Sequence, residues 1–404
     1  MADVCMSYLN NYLTEILDYE STVDFVIFNN TKIKTSYIID LSSYFISQYL
    51  FFGLEEIPLS SVITRQRYGC NYNIIVQYLL DKRVIFFHKD YMKGKHVRSY
   101  RINKNILEGE IFGYKNFDKF LLKKHKKLLD ISINSESENK IPSNIKEKLI
   151  RFLYLAKLDE ESTEILLNTI KVDREIYLKN KHSIDCINNK QIFFHFDSYG
   201  RMHTNFTNLK SIFRKQCLFI NGKKTTEIDI KNSQPLFLNK LIEEHKSEFK
   251  FDGEELELYR NLTFNGKFYD YINSKVQVEN KKKLKDLVYK LFFGKNHPNK
   301  FEKEFSKIFP TIYKFIKFYK NKTGDYKNFS YKLQELESNL IFNKIVKQIM
   351  DYDSNLPVIT IHDSILCTVD KRDIVSKIFR ENLVEYFGME IKEEAHNTFD
   401  FNIY

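Results

Sequence analysis

Cysteine is scarce in this sequence, and no two cysteines are spaced for a shared role. The chain of 404 residues contains five cysteines, none of them in a C-x-x-C pair. This pattern excludes a disulfide framework and a zinc knuckle, and it suits a reducing compartment. We therefore expect a cytoplasmic protein.

Long apolar runs and a leader segment are also missing. The most apolar early stretch, "YFISQYLFFGL" at 44–54, is too short to span a bilayer. The first residues, "MADVCMSYLNNYLTEI", lack the basic region and apolar run of a signal peptide. We expect no membrane insertion.

Acidic residues are outnumbered by basic ones. There are 63 Lys and Arg residues against 53 Asp and Glu, which gives a net charge of +10. This balance favours a polyanionic partner, nucleic acid first and an anionic membrane surface second. A hydrophobic content of 43% with 29% charged residues is typical of a globular chain, and the length allows two or three domains.

A polar stretch at 130–148 separates an N-terminal module from the rest of the chain. Within that module the apolar spacing predicts a helix over 70–83, a strand over 84–88 and a returning strand over 96–102. A helix followed by a basic hairpin resembles a winged helix, whose wing could lie on a phosphate backbone. A small packing domain with a solvated basic hairpin is the alternative interpretation.

The second half of the chain alternates helix and strand signals. An amphipathic pattern predicts a helix over 145–158, and "QIFFHFD" predicts a strand over 191–197. His195 and His203 flank the segment after that strand, but they have no cysteine partners and indicate no zinc site.

Two acidic residues share one face of a short strand in "TEIDIKNSQPLFLN" at 225–238. Because a strand alternates its faces, Ile228 and Ile230 can enter a core while Glu227 and Asp229 point to the other side. Such acids are either solvated or hold a cation. Taken alone, this pattern favours a solvated strand edge. Glu227 is either solvated, which is the interpretation we favour, or a third acid near a bound metal ion.

The stretch "PVITIHDSILCTV" at 357–369 repeats this construction. Two β-rich apolar runs flank "HDS", which predicts a hairpin with Asp363 at its turn. Two carboxylates on neighbouring strands can hold two divalent cations for in-line phosphoryl transfer. Magnesium needs only one or two protein carboxylates when substrate phosphates complete its coordination.

A lysine-rich helix is predicted between these acids, over "NKKKLKDLVYKLFFGKN" at 280–296. It would place Lys281, Lys285 and Phe292 or Phe293 along one side and end near Gly294. Lysines at helical spacing suit a triphosphate, and a solvated lysine face is the alternative.

The order D…K-x-x-x-x-x-x-x-[YF]-G…H-D, over roughly residues 190–404, resembles the family A DNA polymerases and the related single-subunit phage and mitochondrial RNA polymerases. "DSYGRMHTNFTNL" at 197–209 is similar to a "GR" segment that precedes the first motif in that family. A further helix, over 335–350, lies where the family has one before its last motif.

The resemblance implies an α+β fold with a right-hand palm, an antiparallel sheet packed with helices, and short helical fingers and thumb. It divides the chain into a winged-helix-like module (1–130), a linker (131–147), thumb-like helices (148–190) and the palm and fingers (191–404). No segment has the pattern of an attached 3′–5′ exonuclease.

The resemblance also implies roles for individual residues. Asp229, Asp363 and the backbone carbonyl of Ile230 would hold two Mg²⁺ ions, for which Mn²⁺ may substitute, with Lys285 as the third catalytic residue. The implied nucleotide-binding residues are Lys281, Tyr289, Phe293, Gly294, Gln234 and Ser233. The implied primer or template contacts are Arg201, His362 and Asn208, with His362 supporting the hairpin.

Three functions stay open at this point. The first is a small DNA polymerase without proofreading, acting on DNA and nucleoside triphosphates in the cytoplasm of a bacterial or phage-infected cell. The second is an RNA polymerase or primase on the same palm, supported by Ser233 and the "HDS" triplet, which are more similar to the RNA polymerases. Gln234 in place of a sugar-gating glutamate and Phe293 in place of a tyrosine leave the choice of sugar open. The third is a non-catalytic DNA-binding replication factor, which has no physical reason to keep both aspartates.

Overall fold

The computed structural model describes most of the chain. The described residues are 5–10, 24–93, 95–107, 111–116, 118–124, 141–170, 173–296, 299–388 and 393–397, with the backbone alone at 5–10, 51–52, 111–116 and 393–397. They contain no helix that is long and apolar enough to cross a membrane. Residues 131–140 of the predicted linker lie outside the described residues.

Helices and strands alternate along the described residues. The strands are β1 (Cys5–Asn10), β2 (Phe25–Phe28), β3 (Thr31–Lys34), β4 (Ile57–Pro58), β5 (Ile85–Lys89), β6 (Ser99–Ile102), β7 (Ile111–Asn116), β8 (Ala156–Leu158), β9 (Phe194–Phe196), β10 (Met202–Thr204), β11 (Leu218–Ile220), β12 (Lys223–Ile230), β13 (Ile359–Ile361), β14 (Ser364–Thr368) and β15 (Glu393–Asn397).

The α-helices are α1 (Thr35–Phe52), α2 (Ser61–Tyr68), α3 (Tyr72–Asp81), α4 (Ser143–Leu153), α5 (Glu160–Thr169), α6 (Arg174–Asn188), α7 (Asn205–Asn208), α8 (Ser211–Cys217), α9 (Ser233–Glu244), α10 (Gly253–Phe264), α11 (Phe268–Val276), α12 (Lys281–Phe293), α13 (Lys300–Ile308), α14 (Pro310–Lys322), α15 (Lys327–Ser338), α16 (Lys347–Tyr352) and α17 (Arg372–Phe387). A π-helix, Asn339–Val346, joins α15 to α16.

The chain forms two compact units. The first contains Met1–Ser135, Leu158–Phe193 and Thr204–Phe213, and the second contains Glu136–Lys157, Phe194–His203 and Arg214–Tyr404.

In the first unit, α1 is the central helix of the core. Its buried residues, such as Phe45 and Tyr49, belong to the same apolar cluster as Ile75 and Leu79 of α3. A small antiparallel sheet has the order β4-β6-β5. The helix and hairpin predicted within 70–102 are therefore present, with α3 inside the predicted helical range.

The second unit is built on an antiparallel sheet with the order β13-β14-β12-β11-β8, and β15 also pairs with β12. The hairpin predicted at 357–369 is confirmed, since β13 and β14 pair from Ile359–Leu366 to Ile361–Ser364. Every residue of these two strands is buried. Because β14 also pairs with β12, the ends of the two acidic segments meet on adjacent strands.

One predicted helix is too long. The pattern over 145–158 predicts a single helix, but α4 ends at Leu153 and β8 follows after a two-residue turn. Ala156 and Leu158 are buried while Lys157 between them is exposed. Because this alternation spans only three residues, it is too short to be distinguished in the sequence from the helical pattern before it.

Candidate active site

A cavity of about 280 Å³ lies in the second unit, where β12 ends and α9 begins. It is lined by residues from the β9–β10 loop, β12, α9, α11, α12, α15 and the β13–β14 turn. The lining residues are Arg201, Asp229, Ile230, Lys231, Asn232, Ser233, Gln234, Gly266, Tyr269, Asp270, Lys281, Lys285, Tyr289, Glu337, His362 and Asp363.

Asp229 lies near the end of β12, and the opposite face of this strand packs into the hydrophobic core. Ile228 and Ile230 are 0% and 2% exposed, while Asp229 is half-buried at the cavity. The chain then turns sharply, because Asn232 adopts a left-handed conformation with φ of 56°. That turn places the first residues of α9 against the cavity.

Asp363 and His362 form the two-residue turn between β13 and β14. His362 has φ of 53°, as tight hairpin turns require, although side chains other than glycine adopt it at a cost of about 1–3 kcal/mol. Burial and the nearby Arg201 lower the pKa of His362 to about 4, so it is neutral at pH 7. Its ring meets His203 edge-on, with centroids 5.5 Å apart.

The surroundings of Asp363 disfavour its ionised form. Burial raises the pKa of its carboxyl group, and Glu227 raises it further, although Ser233 and Arg201 oppose this shift. Asp363 is one residue from Ser364, the β14 partner of Asp229 in the sheet. Asp229 at the end of β12 and Asp363 in the turn before β14 both line the cavity.

The expectation that Glu227 is solvated is wrong. Glu227 is 6% exposed, and its Oε1 accepts a hydrogen bond of 2.7 Å from Ser364. Arg214 Nη2 lies 3.5 Å from the same oxygen. Glu227 Oε2 is buried without a hydrogen-bond partner among the described residues. Arg214 covers this face of β12, which the strand pattern alone could not indicate.

Arg201 is held by the loop between β9 and β10. Asp197 accepts hydrogen bonds from the backbone N–H groups of Tyr199 and Arg201, at 2.9 and 3.0 Å. Its other oxygen lies 2.9 Å from His203 Nε2. Although burial would raise the pKa of Asp197, these contacts lower it. Asp197 thus fixes the turn from which Arg201 enters the cavity.

Glu337 is the centre of a buried network on one wall of the cavity. Its Oε1 lies 2.6 Å from Arg201 Nη2, and it is 1% exposed. Its Oε2 accepts hydrogen bonds from Ser233 Oγ at 3.0 Å and Gln234 Nε2 at 2.6 Å. Burial raises the pKa of Glu337 to about 7, against the opposing effect of Arg201.

Helix α12 presents its predicted lysine face to the same cavity. Lys281, Lys285 and Tyr289 recur every four residues and all line it, while Phe292 on another side is fully buried. Both lysines are exposed; Lys281 Nζ lies 3.7 Å from an oxygen of Asp270. Asn280 starts the helix by accepting a hydrogen bond from the N–H of Lys283.

Ten of the thirteen sequence-predicted site residues line this cavity, and three do not. Asn208 is exposed at the end of α7, in the first unit. Phe293 stacks on Tyr289 with centroids 4.9 Å apart, so it supports a lining residue. Gly294 follows the last residue of α12, where a Cβ would meet the carbonyl oxygen of Lys290 at 2.5 Å.

Two residues of the site, Asp197 and Glu337, were not predicted as functional from the sequence. Asp197 precedes the "GR" pair by a distance typical of a tight turn, which is a usable local signal. Glu337 has no such signal, because its partners are distant in the chain; Ser233, for example, is 104 residues away.

The described residues contain no cluster of three His, Cys, Asp or Glu side chains arranged to hold a metal ion. Oxygen donors at the cavity include the carboxylates of Asp229 and Asp363 and the backbone carbonyl of Ile230. A magnesium ion with substrate phosphates in its shell needs no more than this.

Comparisons with known proteins give likenesses to solved structures only. No protein-family model and no curated protein matches the chain. Among solved structures, the chain is similar to the POL domain of Pol1 from M. smegmatis, in complex with DNA primer-template and dNTP. The identity is 11% over 70% of this chain and 73% of that chain, with a TM-score of 0.42.

Proposed function

We propose that this protein is a template-directed nucleic-acid polymerase, with DNA as its product. The observation that carries the proposal is the cavity, in which Asp229 and Asp363 face Lys285 and Arg201. Paired carboxylates in one cavity with cationic side chains are what nucleotidyl transfer from a triphosphate requires.

The residues present fit two divalent metal ions. Asp229 and Asp363 offer hard carboxylate oxygens, and Ile230 can add its carbonyl. Burial raises the pKa of Asp363, and Glu227 Oε2 is buried without a hydrogen-bond partner among the described residues, so bound cations would stabilise both carboxylates. Such ions, when bound, would activate the attacking hydroxyl and neutralise the leaving group.

In the proposed reaction, the 3′-hydroxyl of a primer gives up its proton to water, and its oxygen attacks the α-phosphorus of a nucleoside triphosphate. The bond to the β-phosphate breaks, and pyrophosphate leaves with the electron pair. Lys281 and Lys285, one helical turn apart, would bind the β- and γ-phosphates. Arg201, held by Glu337, would position the primer end, and the exposed ring of Tyr289 would stack on the incoming nucleotide.

A ribonucleotide-incorporating enzyme is the second candidate, and one observation favours it. Gln234 donates its amide N–H to Glu337, and its Oε1 is buried without a partner among the described residues. A carbonyl oxygen in this position can accept a hydrogen bond from a ribose 2′-hydroxyl. Phe293 carries no hydroxyl group that could act there instead.

The test is nucleotide extension with magnesium on primed and unprimed single-stranded DNA, with dNTPs in one series and NTPs in the other. We expect primer-dependent dNTP incorporation that falls about a thousandfold in Asp229→Asn and in Asp363→Asn. Asp351→Asn, an exposed change on α16, is the matched control and should retain activity.

Each other outcome has a defined meaning. Unprimed NTP products would move the assignment to the RNA polymerase or primase. Folded wild-type protein without incorporation in any series would refute the polymerase, as would aspartate variants that retain full activity. Far-ultraviolet circular dichroism of every variant excludes unfolding as the cause of lost activity.

A further inference from the structure

The first unit contains a helix–turn–helix that the polymerase proposal does not use. Helices α2 and α3 are joined by three residues, 69–71. Gly69 has φ of 85°, which a side chain would resist, and Ser60 caps α2 by accepting from the N–H of Ile63. Two helices linked by a short turn with glycine are typical of DNA-binding modules.

The strands around these helices complete the module. The order along the chain is α1, β4, α2, α3, β5 and β6, and the sheet order is β4-β6-β5. The β5–β6 hairpin continues beyond its paired strands, since Met92 and His96 form a further bridge. A helix–turn–helix is thus followed directly by a projecting hairpin.

Helix α3 has one buried and one exposed face. Tyr72, Ile75 and Leu79 belong to the core, while Asn73 and Gln77 are exposed. Asn73 and Gln77 are four residues apart and therefore neighbours on one face. Neither side chain has a hydrogen-bond partner within the part of the chain that the structure describes. Carboxamides of this kind bind the N6 and N7 edge of adenine in the DNA major groove.

The charge of the module complements a phosphate backbone. The sequence from 53 to 104 contains ten basic and four acidic residues. Three of the acids are already paired: Glu55 with Lys104, Glu56 with Arg101 and Asp90 with Arg98.

The hairpin also carries unpaired positive charge. Lys89, Lys93 and Lys95 are exposed, and none has an acidic partner among the described residues. The surplus charge on the hairpin is therefore available to a polyanion.

We propose that α3 and this hairpin bind duplex DNA, with Asn73 and Gln77 reading adenine in the major groove and the hairpin lysines on the backbone. Double-stranded RNA is a poorer fit, because its deep and narrow major groove does not admit a helix. The module would give the protein a preferred duplex site that is independent of its catalytic cavity.

The experiment selects bound duplexes from a pool with 20 randomised base pairs, without nucleotides and with excess unlabelled single-stranded DNA. The affinity for the enriched duplex and for a scrambled duplex is then measured by fluorescence anisotropy across a range of salt concentrations. Because no step requires catalysis, the result is separate from the outcome of the extension assay.

We expect an enriched site that contains adenine, bound at least about tenfold more tightly than the scrambled duplex. Asn73→Ala/Gln77→Ala should remove this preference and leave binding to the scrambled duplex unchanged. Lys93→Ala/Lys95→Ala should weaken binding to both duplexes and reduce the salt slope by about 1 per lysine that contacts a phosphate.

The control variants change exposed residues away from the proposed binding surface. Asn168→Ala and Lys119→Ala/Lys210→Ala change exposed residues elsewhere in the same unit and should have no effect. The proposal is overturned if no sequence is enriched, or if the preference survives in Asn73→Ala/Gln77→Ala. Equal effects of the two lysine pairs would also overturn it.

Discussion

Each unit contains an arginine paired with a buried carboxylate, and the two pairs differ in how completely their hydrogen-bonding atoms are used. In the first unit, Arg67 forms two hydrogen bonds with Asp40, of 2.8 and 3.0 Å, and Tyr68 donates a third at 2.6 Å. In the second unit, Arg201 approaches Glu337 through a single contact of 2.6 Å.

The two pairs differ in the hydrogen-bonding atoms that remain without a partner nearby. Arg201 Nε and Gln234 Oε1 are buried beside the cavity and have no partner among the described residues. The Arg67–Asp40 contact instead uses both carboxylate oxygens and joins α1 to α2. A bidentate pair is suited to bracing helices, whereas a pair with remaining hydrogen-bonding capacity at a cavity is suited to a ligand.

The largest effect is expected when the first pair is broken. Asp40→Ala leaves a guanidinium and a phenol buried without their carboxylate, which should lower the free energy of unfolding by about 3–5 kcal/mol. Chemical denaturation measures this loss, and Asp24→Ala, an exposed change in the same unit, is the control. A loss below about 1 kcal/mol would contradict the bracing role.

A buried cation in the second unit should also act on stability alone. Lys320 is 2% exposed, and its Nζ donates to the carbonyls of Leu291 and Gly294, both at 2.7 Å. Burial lowers its pKa to about 8. These contacts satisfy carbonyls at the C-terminal end of α12, the helix with the cavity lysines.

Lys320→Met should cost about 1–3 kcal/mol of unfolding free energy, because it leaves buried carbonyls unpaired. Lys314→Met, on an exposed position of the same helix, should cost much less. Thermal and urea unfolding of both variants would distinguish them, and equal costs would rule out the capping role.

The Arg201–Glu337 pair should respond in rate more than in stability. Glu337→Gln can still accept from Ser233 and Gln234, but it no longer offsets the charge of Arg201. We expect incorporation about tenfold slower, which corresponds to about 1.4 kcal/mol of barrier, with a small change in stability. Glu335→Gln, exposed on the same helix, is the control. Equal rates for the two variants would show that Glu337 does not position Arg201.

Site residues with a local sequence signal could be predicted from the sequence. Asp363 was predictable, because two β-rich apolar runs flank a two-residue turn and the signal is local. The lysine face of α12 was predictable for the same reason, as its residues recur at helical spacing. The position of Asp229 on the strand face opposite Ile228 and Ile230 followed from strand alternation, which needs only adjacent residues.

The environment of each carboxylate was not predictable. Glu227 shares a face with Asp229, yet Arg214 and Ser364 bury it, so strand alternation gave the wrong expectation. Glu337 lies in "QELES", whose pattern is typical of an exposed polar helix. Only the folded structure brings Arg201 and Ser233 into contact with it. Such roles depend on tertiary contacts between segments far apart in the sequence.

The smallest effect on stability is expected at an exposed ion pair, which differs most in burial from the pairs described above. Glu56 lies 3.3 Å from Arg101 and 2.7 Å from His88, with about half of its side chain exposed. Exposed pairs of this kind contribute about 0–1 kcal/mol, so Glu56→Gln should barely change the unfolding free energy.

The same substitution should nevertheless change binding. Removing the Glu56 charge frees Arg101 on the module that we propose binds duplex DNA, so affinity should rise severalfold at low salt and the gain should fade as salt screens the charge. Glu161→Gln, exposed elsewhere in the first unit, should leave duplex affinity unchanged. Anisotropy titrations of both variants test this. A gain that is the same for both would mean that only net charge matters, and the position of Arg101 on the hairpin sheet would then have no part in binding.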